Sequence, residues 1–248
     1  MAKIGLQLYT IRDECDRDLE AAIRRVGELG YDGVELFQLH GHTAEQVRGW
    51  LDDAGLAAAG RHARIEAFEH ELDGLATELA TLGTDRAAQS WAEPEAIRDP
   101  GPLLERMEAA ARAAHEQGVR FGFHNHWTEV EPLDGGGSFL DRLRELPSEL
   151  IWLELDLGWI WLAGGDPLAE LDVSAGRCPL VHVKDYASRE DRDDVPVGDG
   201  KVGYDRVVPA ALDAGVEWLI VEEDDVGPHP FEAIERSLEA VRRFAERG

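Results

Sequence analysis

Carboxylates and imidazoles recur in this sequence at the ends of short apolar runs, where core residues would be the ordinary choice. In chain order those ends carry Gln7 and Tyr9, Glu35, His62, Gln89 and Trp91, then His124, Asn125 and His126. The last three carry Glu154 and Asp156, then His182, Lys184 and Asp185, and finally Glu222. Charged groups on apolar strands are rare unless they are paired or bound to metal. Asp156, His182 and Glu222 end three consecutive runs, an arrangement that lets their side chains converge. Imidazole nitrogen beside carboxylate oxygen suits a divalent cation such as Mn²⁺, Co²⁺ or Zn²⁺ with no need for cysteine. His62 and Gln89 can line a ligand pocket or form a plain hydrogen-bonded rim. Glu35 has the character of a residue that holds neighbouring backbone or a basic side chain. His40 and His42, in LHGH, precede a helix start and are expected in solvent, as is the REDRDD cluster from Arg189 to Asp194.

The elements that must position these groups are strands at Ile4–Tyr9, Gly33–Phe37, Ala57–His62, Asp85–Gln89, Arg120–Asn125, Ile151–Asp156, Leu180–Lys184 and Trp218–Glu222. They are continuous apolar runs more than alternating ones, as expected of strands covered on both faces. Amphipathic stretches separate them. Leu19 to Gly30 places Leu19, Ala22, Ile23, Val26 and Leu29 at helical spacing with a glycine stop, and Pro102–Gln117 and Phe231–Arg247 follow the same pattern. Strand and helix alternating eight times over 248 residues is the pattern of an α/β fold, a single (β/α)₈ TIM barrel. The open doubly wound alternative wants a glycine-rich phosphate turn after the first strand, and the chain has LQLYTIRD there. No shift in composition marks a boundary, so one domain is expected across residues 1–248. Chemistry in such a barrel sits at the C-terminal strand ends. The long loops Trp127–Gly137 and Tyr186–Gly203 leave from that side.

The 25 Lys and Arg stand against 51 Asp and Glu, a net charge of −26 that repels nucleic acid and anionic membrane surfaces. Metal cations and neutral ligands are the natural partners. Two distant cysteines, Cys15 and Cys178, make no disulfide framework. With no signal-peptide pattern at the N-terminus and no long apolar run, a cytoplasmic location is expected. Trp127, Trp159 and Trp161 follow strand ends and suit an apolar wall against a sugar ring, although Trp161 can equally pack inside.

At these residues the chain resembles the sugar phosphate isomerase/epimerase family, the xylose isomerase-like barrels. Its pieces are IGLQLYTIRDE, LGYDGVELF, FGFHNHWTEVE, LELDLGWIWLAGGDP, VHVKD and VGYDRVVPAALDAGVEWLIVEED, in that order along nearly the whole chain. The resemblance implies a divalent-metal enzyme (Mn, Co, Zn or Mg) acting on a sugar, keto-sugar or inositol-like compound through an enediolate. Asp156 in LDLGW, His182 in HVKD and Glu222 in VEED match three of its four metal ligands. The fourth is a glutamate at the end of strand five, where this chain has His124, with Glu129 three residues beyond His126. His124 is the favoured ligand and Glu129 the alternative.

The resemblance further implies Glu222 as the proton-abstracting base. It implies His124, His126 or Glu129 as the group that returns a proton or helps expel a leaving group, and Lys184 as the cation beside a developing oxyanion. His62, His126 and Trp159 are the expected substrate contacts, and a homodimer is expected. The epimerases use two glutamates on opposite faces of the substrate, so the histidine at position 124 leaves a lyase or dehydratase, or a non-catalytic sugar-binding barrel, as the alternatives. A DNA-repair endonuclease on the same barrel would need a basic groove, which the charge opposes.

Overall fold

In the computed structural model, which describes residues 2–190 and 192–247, the eight expected strands are parallel and close into a barrel. They are β1 (Lys3–Gln7), β2 (Gly33–Leu36), β3 (Ala57–Ala63), β4 (Arg86–Gln89), β5 (Arg120–His124), β6 (Ile151–Asp156), β7 (Leu180–Val183) and β10 (Trp218–Val221). β8 (Asp185–Tyr186) and β9 (Asp194–Val195) form a separate antiparallel ribbon in the loop after β7. Pairing of Lys3 through Leu6 with Trp218 through Val221 closes the ring. Outside it run α1 (Arg12–Leu29), α2 (Ala44–Ala54), α3 (Ile65–His70), α4 (Leu72–Leu82), α5 (Pro94–Arg98) and α6 (Gly101–Glu116). They are followed by α7 (Phe139–Arg144), α8 (Leu157–Leu162), α9 (Pro167–Val173), α10 (Tyr204–Asp213) and α11 (Pro230–Ala245). Among the described residues no helix is long and apolar enough to cross a membrane.

Side chains alternate across a strand, so every second residue faces the barrel axis. At the N-terminal end this inner face is filled by Trp152, Trp218, Leu180, Ile220, Ala59 and Ala88. Glycines on nearby strands make room for the two indoles. A Cβ on Gly122 would lie 2.3 Å from the Trp152 ring, and one on Gly33 would lie 2.7 Å from Trp218. Moving two residues along from Gly5, Gly33, Gly60, Gly122, Trp152, Leu180 and Ile220 gives Gln7, Glu35, His62, His124, Glu154, His182 and Glu222. The apolar plug therefore carries a polar layer directly above it, with every one of these side chains buried. A further step of two reaches Tyr9, Phe37, His126, Asp156, Lys184 and Asp224, at the C-terminal mouth.

Some boundaries differ from the sequence expectation, each for a local reason. The first strand stops at Gln7, whose side-chain oxygen accepts from Tyr9 N at 3.1 Å and starts a 3₁₀ turn over Leu8–Ile11. The first helix begins at Arg12 and breaks at Asp18 (φ −162°), which caps the segment from Leu19 by accepting from Ala21 N at 3.0 Å. Gly30 ends it in the left-handed conformation, with φ +93°. His40 is not in solvent: only 5% of its side chain is exposed, and Nδ1 lies 2.8 Å from Asp16. Within the Arg189 to Asp194 cluster, Asp191 lies outside the described residues.

A candidate metal centre on the floor of an aromatic cleft

Above the polar layer opens a cleft of about 760 Å³. Tyr9, Phe37, Trp91, Trp127 and Trp159 form its walls, and His62, His124, His126, Lys184 and Glu222 lie towards its floor. The Trp127 and Trp159 rings are 5.1 Å apart, and Lys184 Nζ sits 4.7 Å from the Trp159 ring centre. Trp161 is not part of this wall; the Arg189 guanidinium stacks over it at 4.6 Å.

Beneath the cleft two overlapping sets of ligand-type atoms converge. One comprises His124, Asp156, His182 and Glu222; the other His62, His124, Glu154 and His182. In each set the atoms lie within 4.8 Å of one another. Three consecutive strands supply Asp156, His182 and Glu222: Asp156 pairs with His182 in register, and His182 with Ile220, so Glu222 stands two residues further along its strand. Asp156 also caps α8, accepting from Trp159 N at 2.8 Å through Oδ1. Its Oδ2, Glu154 Oε1, Glu35 Oε1 and His124 Nδ1 are buried with no hydrogen-bond partner among the described residues. Buried ligand-type atoms left unpaired are costly, and a divalent cation taking nitrogen and oxygen donors would satisfy Asp156 Oδ2 and His124 Nδ1, both in the first set. The residues fit such a cation.

The layer is knit by short contacts. His182 Nδ1 lies 2.8 Å from Glu222 Oε2, and its Nε2 lies 2.7 Å from Glu35 Oε2. His62 Nε2 is 2.7 Å from Glu154 Oε2 and 3.2 Å from Glu35 Oε2. Gln7 Nε2 donates to Glu35 Oε2 at 2.8 Å. Lys184 Nζ reaches Asp224 at 2.6 Å and Glu222 at 3.8 Å.

These neighbours decide the charge states. Burial alone would protonate Glu222, but the Lys184 ammonium and His182 outweigh it and hold the carboxyl well below its usual range. Burial likewise opposes a charge on Lys184, and the surrounding Glu222, Asp224 and Asp156 overcome it and keep the amine cationic. Asp156 goes the other way: desolvation dominates and raises it to about 7. Burial lowers His126 to about 4 and drives His124 well below the usual histidine range, so both rings are neutral. His62 is lifted to about 10, because Glu35 and Glu154 override its burial.

The structure thus brings together His124, Asp156, His182 and Glu222, with Lys184, His62, His126 and Trp159 on the same cleft. Glu129 is placed differently. Its Oε2 accepts from His126 N at 3.0 Å and Thr128 Oγ1 at 2.8 Å, so the carboxylate turns back into its own loop and does not reach the strand-five ligand position. His124 occupies that position. Glu35 holds imidazoles, in place of the backbone or basic group expected of it. Glu154 and Asp185 carry more than their place at a strand end suggested. The spacing Glu154-X-Asp156 is the readable signal for the first, since period two puts both on one face. Asp185 accepts from Tyr186, Gly198, Gly200 and Val202 N–H groups at 2.9–3.1 Å and so ties down the loop after β7.

A closed eight-stranded parallel barrel with its ligand-type residues at the C-terminal strand ends is a TIM barrel with the enzyme-type arrangement of that fold. The chain belongs to the family described as xylose isomerase-like TIM barrel, which matches residues 23–244. It is 27% identical over 152 residues to an inosose dehydratase of Clostridium beijerinckii, covering 52% of this chain and 49% of that protein's length. The chain thus spans about half the length of that relative. A sugar phosphate isomerase/epimerase from Parabacteroides distasonis has a similar crystal structure, with TM-score 0.83, 19% identity, and coverage of 96% of this chain and 97% of that one. The crystal structure of the IOLI protein with a bound zinc atom is similar at TM-score 0.74 and 16% identity, covering 99% and 98%.

Proposed function

We propose that this chain is a divalent-metal-dependent enzyme that removes the proton next to a carbonyl in a sugar, keto-sugar or inositol-like substrate. In this reading it is an isomerase or epimerase working through an enediolate. The observation that carries the proposal is the convergence of His124, Asp156, His182 and Glu222 beneath an aromatic cleft. Those four residues would hold the cation, of the Mn, Co, Zn or Mg type; the zinc atom in a similarly folded protein supports that class. When bound, such a cation polarises a carbonyl oxygen and acidifies the adjacent C–H. Glu222, kept ionised by Lys184 and His182, is in the proton-accepting form on the cleft floor. Lys184, fixed as a cation on the cleft lining, would stabilise a substrate oxygen that gains negative charge. His126 is neutral on the same wall and can exchange a proton with the substrate. Trp159 and its neighbours suit the apolar face of a ring. With its carboxylate turned into its own loop, Glu129 has no part in this step.

Elimination is the second reading. The likeness to an inosose dehydratase favours it, and so does an imidazole at position 124, where a second carboxylate would serve a two-base epimerisation. After the same proton removal, a β-hydroxyl would leave as water. A net charge of −26 supports a small neutral substrate over nucleic acid for either reading.

The test is to incubate metal-supplemented protein with keto-sugars and inososes in D₂O and follow proton exchange and product. Glu222→Gln is expected to stop deuterium incorporation while the circular dichroism spectrum is unchanged. Unchanged exchange would remove Glu222 from the base role. An isomeric product supports the first reading, and a new conjugated enone absorbance supports the second.

A further inference from the structure

Resting on the metal-centre reading above, we propose that Glu35 is the positioning residue of that centre. It accepts the hydrogen bond of His182 Nε2–H, so that Nδ1 is the nitrogen offered to the cation. His182 belongs to both candidate ligand sets, and which set it serves depends on which ring nitrogen carries its lone pair. A neutral imidazole has one N–H and one acceptor nitrogen. The ring stands between two carboxylates: Nδ1 faces Glu222 at 2.8 Å, on the cleft side with Asp156, and Nε2 faces Glu35 at 2.7 Å, on the inner side.

Glu35 is built to accept. It is fully buried on β2, and Gln7, its register partner on β1, donates to the same Oε2 at 2.8 Å. His62 approaches that oxygen at 3.2 Å. The carboxylate belongs to neither ligand set and is not part of the cleft lining, so it has no direct contact with a substrate. With Nε2–H held by Glu35, Nδ1 is the nitrogen that would give up its proton when a cation enters the cleft-side set of His124, Asp156 and Glu222. A carboxylate on the far nitrogen of a ligating imidazole fixes the tautomer and the ring orientation, and raises the basicity of the ligating nitrogen.

The experiment uses the full chain loaded with zinc. Long-range ¹H–¹⁵N correlation of the imidazoles, with His182 assigned by comparison with His182→Gln, is expected to show Nε2 protonated and Nδ1 metal-bound. Zinc affinity is then measured by chelator competition for wild type, Glu35→Gln and Glu35→Ala. Both variants are expected to weaken zinc by about 10–100-fold, Gln less than Ala because its amide oxygen still accepts. A metal-bound Nε2 in the wild type overturns the proposal without reference to any variant. Zinc affinity within twofold of wild type in a folded Glu35→Ala protein overturns it as well. In both of those results the wild type takes up zinc and the metal-centre reading survives. A wild type that takes up no zinc overturns that reading and this inference with it.

Discussion

Replacing Asp185 tests how the loop after β7 is held. Four backbone N–H groups converge on its carboxylate: Tyr186 and Val202 on Oδ1 at 3.0 Å each, and Gly198 and Gly200 on Oδ2 at 2.9 and 3.1 Å. The Oδ1 bonds are buried and the Oδ2 bonds are partly buried. In Asp185→Ala the buried pair cannot reach water, and each orphaned donor costs about 1–3 kcal/mol. The Gly198 and Gly200 donors are rehydrated when the loop opens, so they add little. The expected global loss is therefore about 2–6 kcal/mol, a large part of a typical domain's stability. Asp185→Asn keeps an acceptor at Oδ1 but sets an NH₂ against two N–H donors. Its global loss should be smaller, while the loop is released just as fully. The assay is urea unfolding of both variants, combined with hydrogen exchange of the peptide over residues 194–203. Loop protection retained in Asn, or equal unfolding midpoints for Ala and wild type, would refute the clamp.

Two further outcomes follow from the barrel interior. Gly122→Ala forces a methyl against the Trp152 ring at a 2.3 Å approach. Overpacking of this kind costs about 1–3 kcal/mol, seen as a lower Tm; an unchanged Tm would mean that the plug can shift. Metal affinity should fall as the pH drops through about 7, because Asp156, raised to that value by burial, then binds a proton in competition with the cation. Affinity that does not change between pH 8 and pH 6 would contradict the ligand assignment.

Much of this architecture is legible in the primary structure because a parallel barrel writes itself in a simple way. Strands covered on both faces are apolar runs, and a polar residue at the end of such a run stands out. Asp156, His182 and Glu222 were visible for that reason. At the end of strand five the sequence leaves a choice between His124, favoured, and Glu129 for the proposed ligand. Proximity along the chain favours Glu129 as much as His124, and only the turn in which Glu129 accepts from His126 N and Thr128 settles where its carboxylate goes. The imidazole partners of Glu35 are not legible in the sequence because His182 is 147 residues away, and no local pattern links them. The Asp185 clamp depends on turn geometry 13 to 17 residues downstream, which side-chain periodicity does not encode. Likewise, Tyr9 belongs to a capped 3₁₀ turn because of one Gln7 side-chain bond, although its apolar neighbours continue the strand pattern.

Four side chains under the cleft are proposed to hold one divalent cation. The most direct measurement is elemental analysis of the chelator-stripped chain after resupply with Zn²⁺, Mn²⁺ or Co²⁺ and removal of excess, beside Asp156→Ala and His182→Ala proteins shown to be folded. One equivalent per chain in the wild type, lost in both variants, is the predicted result. A wild type that retains no stoichiometric metal, or variants that retain it fully, would contradict the account.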